Sequence, residues 1–307
     1  MRIRNAFTMI ELIFVIVIMG IIGKFGVEFL VQAYNSYIAS SINNTLQYNS
    51  GAAVEFIATR LQDRIKDSVI VRTGAGAPVV ALADANYTTV YTVLEWIGAD
   101  GDGFRGNSDD NTTLPIFNKP NWSGIIDIDH ADANASVLVS PETNTTKIDT
   151  LIKVLADNPA TSTTTINDAA LYFIGSNSDI QSGYGWNGAI IDQNRTMHPI
   201  NLVVGQPTQF VSATGTNFQD VYEYYKLAWT AYAVVVDANK SLWLHYDYQP
   251  WNGGRYDDTT TKKALIMENV STIQSMAVGS VIKIQVCAES SLVKNQEYSL
   301  CKEKTIF

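Results

Sequence analysis

The chain offers little from which a catalytic or metal centre could be built. It has two cysteines and three histidines, and His130, His198 and His245 are scattered without motif spacing. No four-ligand Cys/His zinc pattern can be assembled from them. HExxH, GxSxG and Walker A patterns do not occur; Gly20-Ile21-Ile22-Gly23-Lys24 has the wrong spacing for a phosphate loop and lies in an apolar run. A non-enzymatic role is therefore expected. Basic clusters are scarce as well, limited to Lys262-Lys263 and the run from Lys302 to Lys304. With a net charge of −9, the chain lacks the grouped Lys and Arg that phosphate contacts require, and no direct nucleic-acid partner is expected. Proline is absent until Pro78, so nothing in the preceding stretch interrupts a long helix on that account.

What is present is apolar material. Hydrophobic residues make up 46% and aromatics 10% of 307 residues, ample for a core in one large domain or two small ones. The N-terminus carries Arg2 and Arg4, then Ala6, then Phe7-Thr8-Met9-Ile10-Glu11, then a run from Leu12 to Gly23 without a polar side chain. Glu11 is the one carboxylate in this segment. Inside hydrocarbon such a group is costly and implies a partner; in a first helical turn at the interface it is tolerated and suits the helix dipole. The residue alone leaves both readings open. An ordinary secretory signal places its small cleavage residue after the apolar core. Here the small residue precedes it, so the apolar segment stays with the mature chain.

Helical periodicity continues beyond this run. Ala53, Ile57, Leu61 and Ile65 form a row joined by Phe56, opposite Glu55, Arg60, Asp63 and Lys66. One helix over 7–67 is expected, loosened around Asn43-Asn44 or Ser50-Gly51, with a span of roughly 90 Å. Only the first ~20 to 25 residues are needed to cross a bilayer, and the remainder must pack on the body. Gly20, Gly23 and Gly26 would each cost about 1 kcal/mol in a water-exposed helix, but in a membrane or bundle small residues let helices approach closely.

After Asp67 the texture is β-rich. Strands are expected at 68–72, 87–97, 125–128, 137–139, 169–174, 200–204 and 209–212, with one helix at 146–156. The clearest hairpin joins 226–237 to 241–248 through Ala238-Asn239-Lys240. A second, 280–288 with 298–306, places Cys287 and Cys301 across its loop end. The fold class is α+β: a long N-terminal helix, membrane-spanning in its first half, packed on an antiparallel β-rich domain. Asp100 and Asp102 lie in a loop, 99–111, rich in acidic and amide side chains of the kind calcium prefers. The EF-hand template fails there, because Arg105 stands where the glycine belongs and Asn111 where the glutamate belongs. A tight turn needing Gly and Asp is the other account.

The N-terminal pattern resembles the class III signal of type IV pilins and type II secretion pseudopilins, with Ala6 as the last leader residue, Phe7 as the new N-terminus and Glu11 as the fifth mature residue. Ala6 stands where that family usually has Gly. The stretch VEFIATRLQDRIKDSVIV and the run MENV resemble the J-type minor pseudopilins more narrowly. The resemblance implies a leader at 1–6, a transmembrane and assembly helix at 7–31, its amphipathic continuation at 32–67 and a β-rich head at 68–307. It implies a single pass through the inner membrane with a periplasmic head, cleavage by a prepilin peptidase, methylation of Phe7, and assembly through Glu11. Loss of Arg2 and Arg4 would take the net charge from −9 to −11. In that oxidising compartment Cys287 and Cys301, 14 positions apart, are expected to pair. The implied partners are other pilin-like subunits, the peptidase and an inner-membrane platform; no resident cofactor is implied beyond the calcium candidates. The implied function is a minor structural subunit of a secretion or pilus filament, placed at the tip because about 240 residues follow the helix. The rivals are an adhesive or DNA-uptake pilus subunit, with Trp251 in the loop 249–254 as an exposed aromatic, and a membrane-anchored enzyme without a visible site.

Overall fold

The computed structural model describes residues 8–86, 88–108, 118–176, 179–293 and 296–307. An unbroken helix, α1 (Met9–Gln62), opens the described chain and extends about 80 Å at its ~1.5 Å rise per residue. Only its second half is buried, through Ile42, Leu46, Ser50, Ala53, Val54, Ile57, Ala58 and Leu61. Those spacings of three and four place one stripe against the head. No break occurs at 43–44 or 50–51: the Ser50 hydroxyl donates to the Leu46 carbonyl at 2.6 Å, which satisfies it inside the helix. The helix ends at Gln62, five residues short of the expected 67. There the chain is drawn into sheet pairing, with the Ile65 amide donating to the Ile97 carbonyl at 2.9 Å and Arg64 bridging Gly98.

The chain then forms β1 (Ile70–Arg72), β2 (Val80–Ala81), β3 (Val93–Gly98), the short α2 (Gly101–Arg105), and a ribbon of β4 (Asn107–Ser108) and β5 (Asn118–Lys119). Next come β6 (Val137–Val139), α3 (Thr145–Ala156), β7 (Ala170–Phe173), β8 (Met197–Val203) and β9 (Gln206–Ser212). The last third holds β10 (Tyr225–Ala228), β11 (Thr230–Val236), β12 (Leu242–Tyr248), β13 (Lys262–Met267), β14 (Val270–Val278), β15 (Val281–Val293) and β16 (Gln296–Ile306). Three larger sheets result, in the orders β13-β12-β11-β3-β1-β2, β10-β7-β8-β9-β6 and β14-β15-β16. The named strand pairs are antiparallel. A long N-terminal helix on antiparallel sheets is an α+β fold.

The six-stranded sheet divides its residues by the two-residue period of a strand. Val71, Leu94, Trp96, Val234 and Leu244 face one core with Ile57 and Leu61 of α1 and with Ile284 and Val286 of the three-stranded sheet. Ile70, Val93, Ile97, Ala231 and Ala233 face a second core with Tyr184, Trp186 and Trp251. The five-stranded sheet makes a third core, in which Leu171, Phe173, Ile200 and Phe210 pack against Ile148 and Ile152 of α3.

Several elements differ from the sequence expectation for local reasons. The stretch 226–237 is two strands in two sheets, parted at the buried Trp229. The strand expected at 87–97 begins at Val93, and Tyr87 lies outside the described residues. No strand forms at 125–128. Ile126 donates to Glu223 on one side and Asp127 to Val139 on the other, so the segment stitches two neighbours without building a ladder. The last hairpin is longer than expected: β15 and β16 pair from Ile282↔Ile306 to Val293↔Gln296, which sets Cys287 opposite Cys301 midway along the ribbon and away from its loop end.

Charge is buried at one point the sequence did not single out. The Arg72 Nε donates to the Glu95 carboxylate at 2.6 Å, and the Tyr248 hydroxyl donates to its other oxygen at 3.0 Å. Both charged residues are buried. Breaking such a pair leaves a bare charge in the core and costs about 3–5 kcal/mol, whereas replacing both partners by apolar groups of similar volume is close to neutral. Glu95→Ala should therefore lower the unfolding free energy in urea by that amount, and Arg72→Met/Glu95→Met should recover most of it. A loss from the double variant equal to the sum of its singles would refute the coupling.

His198 supplies a pH dependence. It is fully buried in β8, beside the rings of Phe173 and Phe218. The Gln193 amide nitrogen donates to the Pro199 carbonyl and Ser212 hydroxyl, so Gln193 Oε1 is the acceptor for His198 Nδ1 at 3.1 Å. Burial pushes the imidazole down from 6.5 to about 4. The unfolded chain then takes up a proton that the native state refuses, and stability falls as pH drops from about 6.5 to 4, by on the order of 3 kcal/mol. Asp100, pushed up to about 6 by burial, acts with the opposite sign. It is common to wild type and His198→Gln, so the difference between their stability slopes from pH 7 to 4.5 isolates the histidine. The variant should lose this acid-side decline; identical slopes would show that His198 takes up its proton at the same pH in the native and unfolded states.

Candidate functional site

Of the processing and assembly residues, Ala6 and Phe7 lie outside the described residues. Glu11 sits in the first turn of α1, where one carboxylate oxygen accepts from both the amide and the hydroxyl of Thr8, at 2.9 Å each. From Thr8 to residue 37 every residue is exposed. At ~1.5 Å per residue this stretch is about 45 Å long, more than the ~30 Å of a hydrocarbon core, and it belongs to a helix long and apolar enough to cross a membrane. Phe14, Ile16, Phe25, Phe29 and Leu30 are each more than 60% exposed. An apolar surface of this extent on a single chain calls for a cover of lipid or other helices. Side chains at Gly20, Gly23 and Gly26 would meet nothing within 4 Å, so their smallness serves no packing against the described residues. Lys24 and Glu28, one turn apart, pair at 3.8 Å and offset each other's charge beside the apolar run.

The second half of α1 is seated on the C-terminal ribbon. Ile282, Ile284, Val286 and Ala288 turn into the core shared with α1, and the intervening Cys287 turns away from it. Cys287 and Cys301 form a disulfide across facing strands. Lys304 pairs with Glu55 of α1, and the buried Arg64 closes the helix end by donating to the carbonyls of Leu61 (2.7 Å) and Ser280 (2.6 Å).

The loop 99–111 is built as a turn over its described part. Asp100 caps α2, with one oxygen accepting from the Gly103 amide (3.0 Å) and the other from Trp122 Nε1 (3.1 Å). Its burial, against the pull of those two donors, pushes the carboxyl up to about 6. Asp102 is exposed and lies 3.5 Å from Arg105, so the two carboxylates have separate partners. A Cβ on Gly103 would lie 1.9 Å from Asp100 Oδ2, which explains the glycine. Among the described residues no group of three or more His, Cys, Asp or Glu is placed to hold a metal ion; Asp109, Asp110 and Asn111 lie outside them.

One expectation is overturned. Trp251 is fully buried, and its Nε1 donates to the Asp168 carbonyl at 2.8 Å, so it presents no adhesive surface. Its glycine-rich loop suggested exposure, but those glycines fold the loop inward: Gly253 takes a left-handed φ of 85°. Sequence reasoning also missed a cleft that gathers Arg60, Tyr232 and Tyr246. Residues so far apart in sequence left no linear signal.

No protein-family model matches the chain, no curated protein matches it, and no solved structure matches its fold.

Proposed function

We propose that this chain is a minor pilin or pseudopilin, a structural subunit of a type II secretion or type IV pilus filament. One observation carries the reading: 30 consecutive helical or cap residues, 8–37, are exposed and mostly apolar, while the rest of the same helix is locked into a disulfide-stapled head. Such a helix suits two successive environments. Lipid covers it while the subunit waits in the inner membrane with its head in the periplasm, and neighbouring helices cover it in a filament. Gly20, Gly23 and Gly26 then serve close helix approach. Ala6 and Phe7 flank the bond cut by the prepilin peptidase, and the new amine on Phe7 of one subunit neutralises Glu11 of the next, which offsets the burial of a lone carboxylate. The partners are other pilin-like subunits and the membrane assembly platform. The head's bulk favours the tip, where no further subunit sits above it.

Sheared filaments from native cells test this. Wild-type protein should be present at a small fraction of the main subunit. Glu11→Gln should insert in the membrane yet incorporate about tenfold less, the scale of a lost ion pair of ~1.4 kcal/mol. Normal incorporation of the variant would reduce Glu11 to an interfacial residue, and a copy number equal to the main subunit would move the protein into the shaft.

A further inference from the structure

Beside the seated end of α1 lies a cleft of about 610 Å³, within the ~300–1,000 Å³ range typical of small-ligand sites. Phe56 and Arg60 of α1 form one wall, Tyr232 of β11 with Leu244 and Tyr246 of β12 form the other, and Leu155 of α3 closes an end. We propose that this cleft binds a carboxylate-bearing sugar.

The argument rests on unspent hydrogen-bonding capacity. The Arg60 guanidinium lies over the Phe56 ring, its Cζ 3.7 Å from the centroid. Its one hydrogen bond goes to the Phe56 carbonyl, at 3.5 Å, and among the described residues it forms no ion pair. The hydroxyls of Tyr232 and Tyr246 likewise have no hydrogen-bond partner among the described residues. Burial pushes the Tyr232 phenol up to about 12, so it stays a proton donor at neutral pH. The acids at the mouth, Asp63 and Asp102, lie nearest Arg105, at 4.0 and 3.5 Å, and neither forms an ion pair with Arg60. A planar guanidinium fixed by stacking is suited to bidentate capture of a carboxylate, and the two phenols add donors to the same ligand.

The remaining walls specify the rest of the ligand. Tyrosine faces and Leu244 suit the C–H face of a pyranose ring, while Asp63, Asp102 and Thr59 at the rim can accept or share its hydroxyl hydrogens. An acidic peptide fits less well. Extended peptides bind by pairing along a sheet edge, and this cleft sits on a sheet face, walled by α1 and closed by Leu155.

The test is calorimetric titration of the full-length protein in detergent micelles with a galacturonate trimer and with the matching neutral galactose trimer. The acidic trimer should bind saturably at one site, and the neutral one about tenfold more weakly, as expected for loss of a charged hydrogen-bonding pair. Arg60→Met, which keeps the apolar stem over Phe56, should weaken the acidic trimer by about the same tenfold factor, and Tyr246→Phe, which removes one hydroxyl and no packing, by roughly threefold. Equal affinity for both sugars, no saturable binding of the acid, or unchanged affinity in Arg60→Met would overturn the assignment. Tighter binding of a glutamate-rich tripeptide would overturn it in favour of a polypeptide ligand. The cleft stands apart from the filament reading, because Arg60→Met leaves the exposed half of α1 untouched.

Discussion

Everything in this molecule depends on how the two halves of α1 are covered. Between Ile42 and Leu61 one stripe is removed from water by β15, β16 and the six-stranded sheet, and each fully buried Ile, Leu or Val there contributes about 1.5–3 kcal/mol. Between Met9 and Tyr37 the same helix has no such cover. The first half therefore leaves an apolar surface that needs a cover from outside the chain, and the second half joins that surface to the head through a shared core. The disulfide ties together the two strands that form the seat, and Arg64 joins the last helical turn to the start of β15 through Ser280.

The seat also explains the cleft. α1 packs on the C-terminal ribbon and on the six-stranded sheet, where Val234 and Leu244 of β11 and β12 share its core, while Tyr232 and Tyr246 of the same strands are only partly covered. Here α2 and α3 frame the cleft, and Arg60 lies across its mouth stacked on Phe56.

The helix was legible because its signal is periodic and uninterrupted: no proline before Pro78, and a clear row through Ala53, Ile57 and Leu61. The hairpin of β11 and β12 was legible from alternation in SLWLHYDY and from the polar turn, where Asp237 accepts from the amides of Asn239 and Ser241. The switch of sheets at Trp229 was not legible. KLAWTAYAVVVD has unbroken strand propensity, yet the chain passes from one sheet to the next at Trp229, which is buried in the third core. The Arg72–Glu95–Tyr248 contact was hidden for a related reason, since a charge in a strand usually marks the solvent face and only the register of β1, β3 and β12 brings these three together. Trp251 misled because glycine-rich loops are commonly exposed, and this one closes back on a core.

The central claim is that the apolar half of α1 remains part of the working protein. The mass and N-terminal residue of the native protein, extracted from membranes, test it most directly. The account predicts loss of residues 1–6 and a chain beginning at a methylated Phe7, with residues 8–37 retained. A mature N-terminus beyond residue 23 would contradict it, because the helix would then be a discarded targeting segment and the head a free protein.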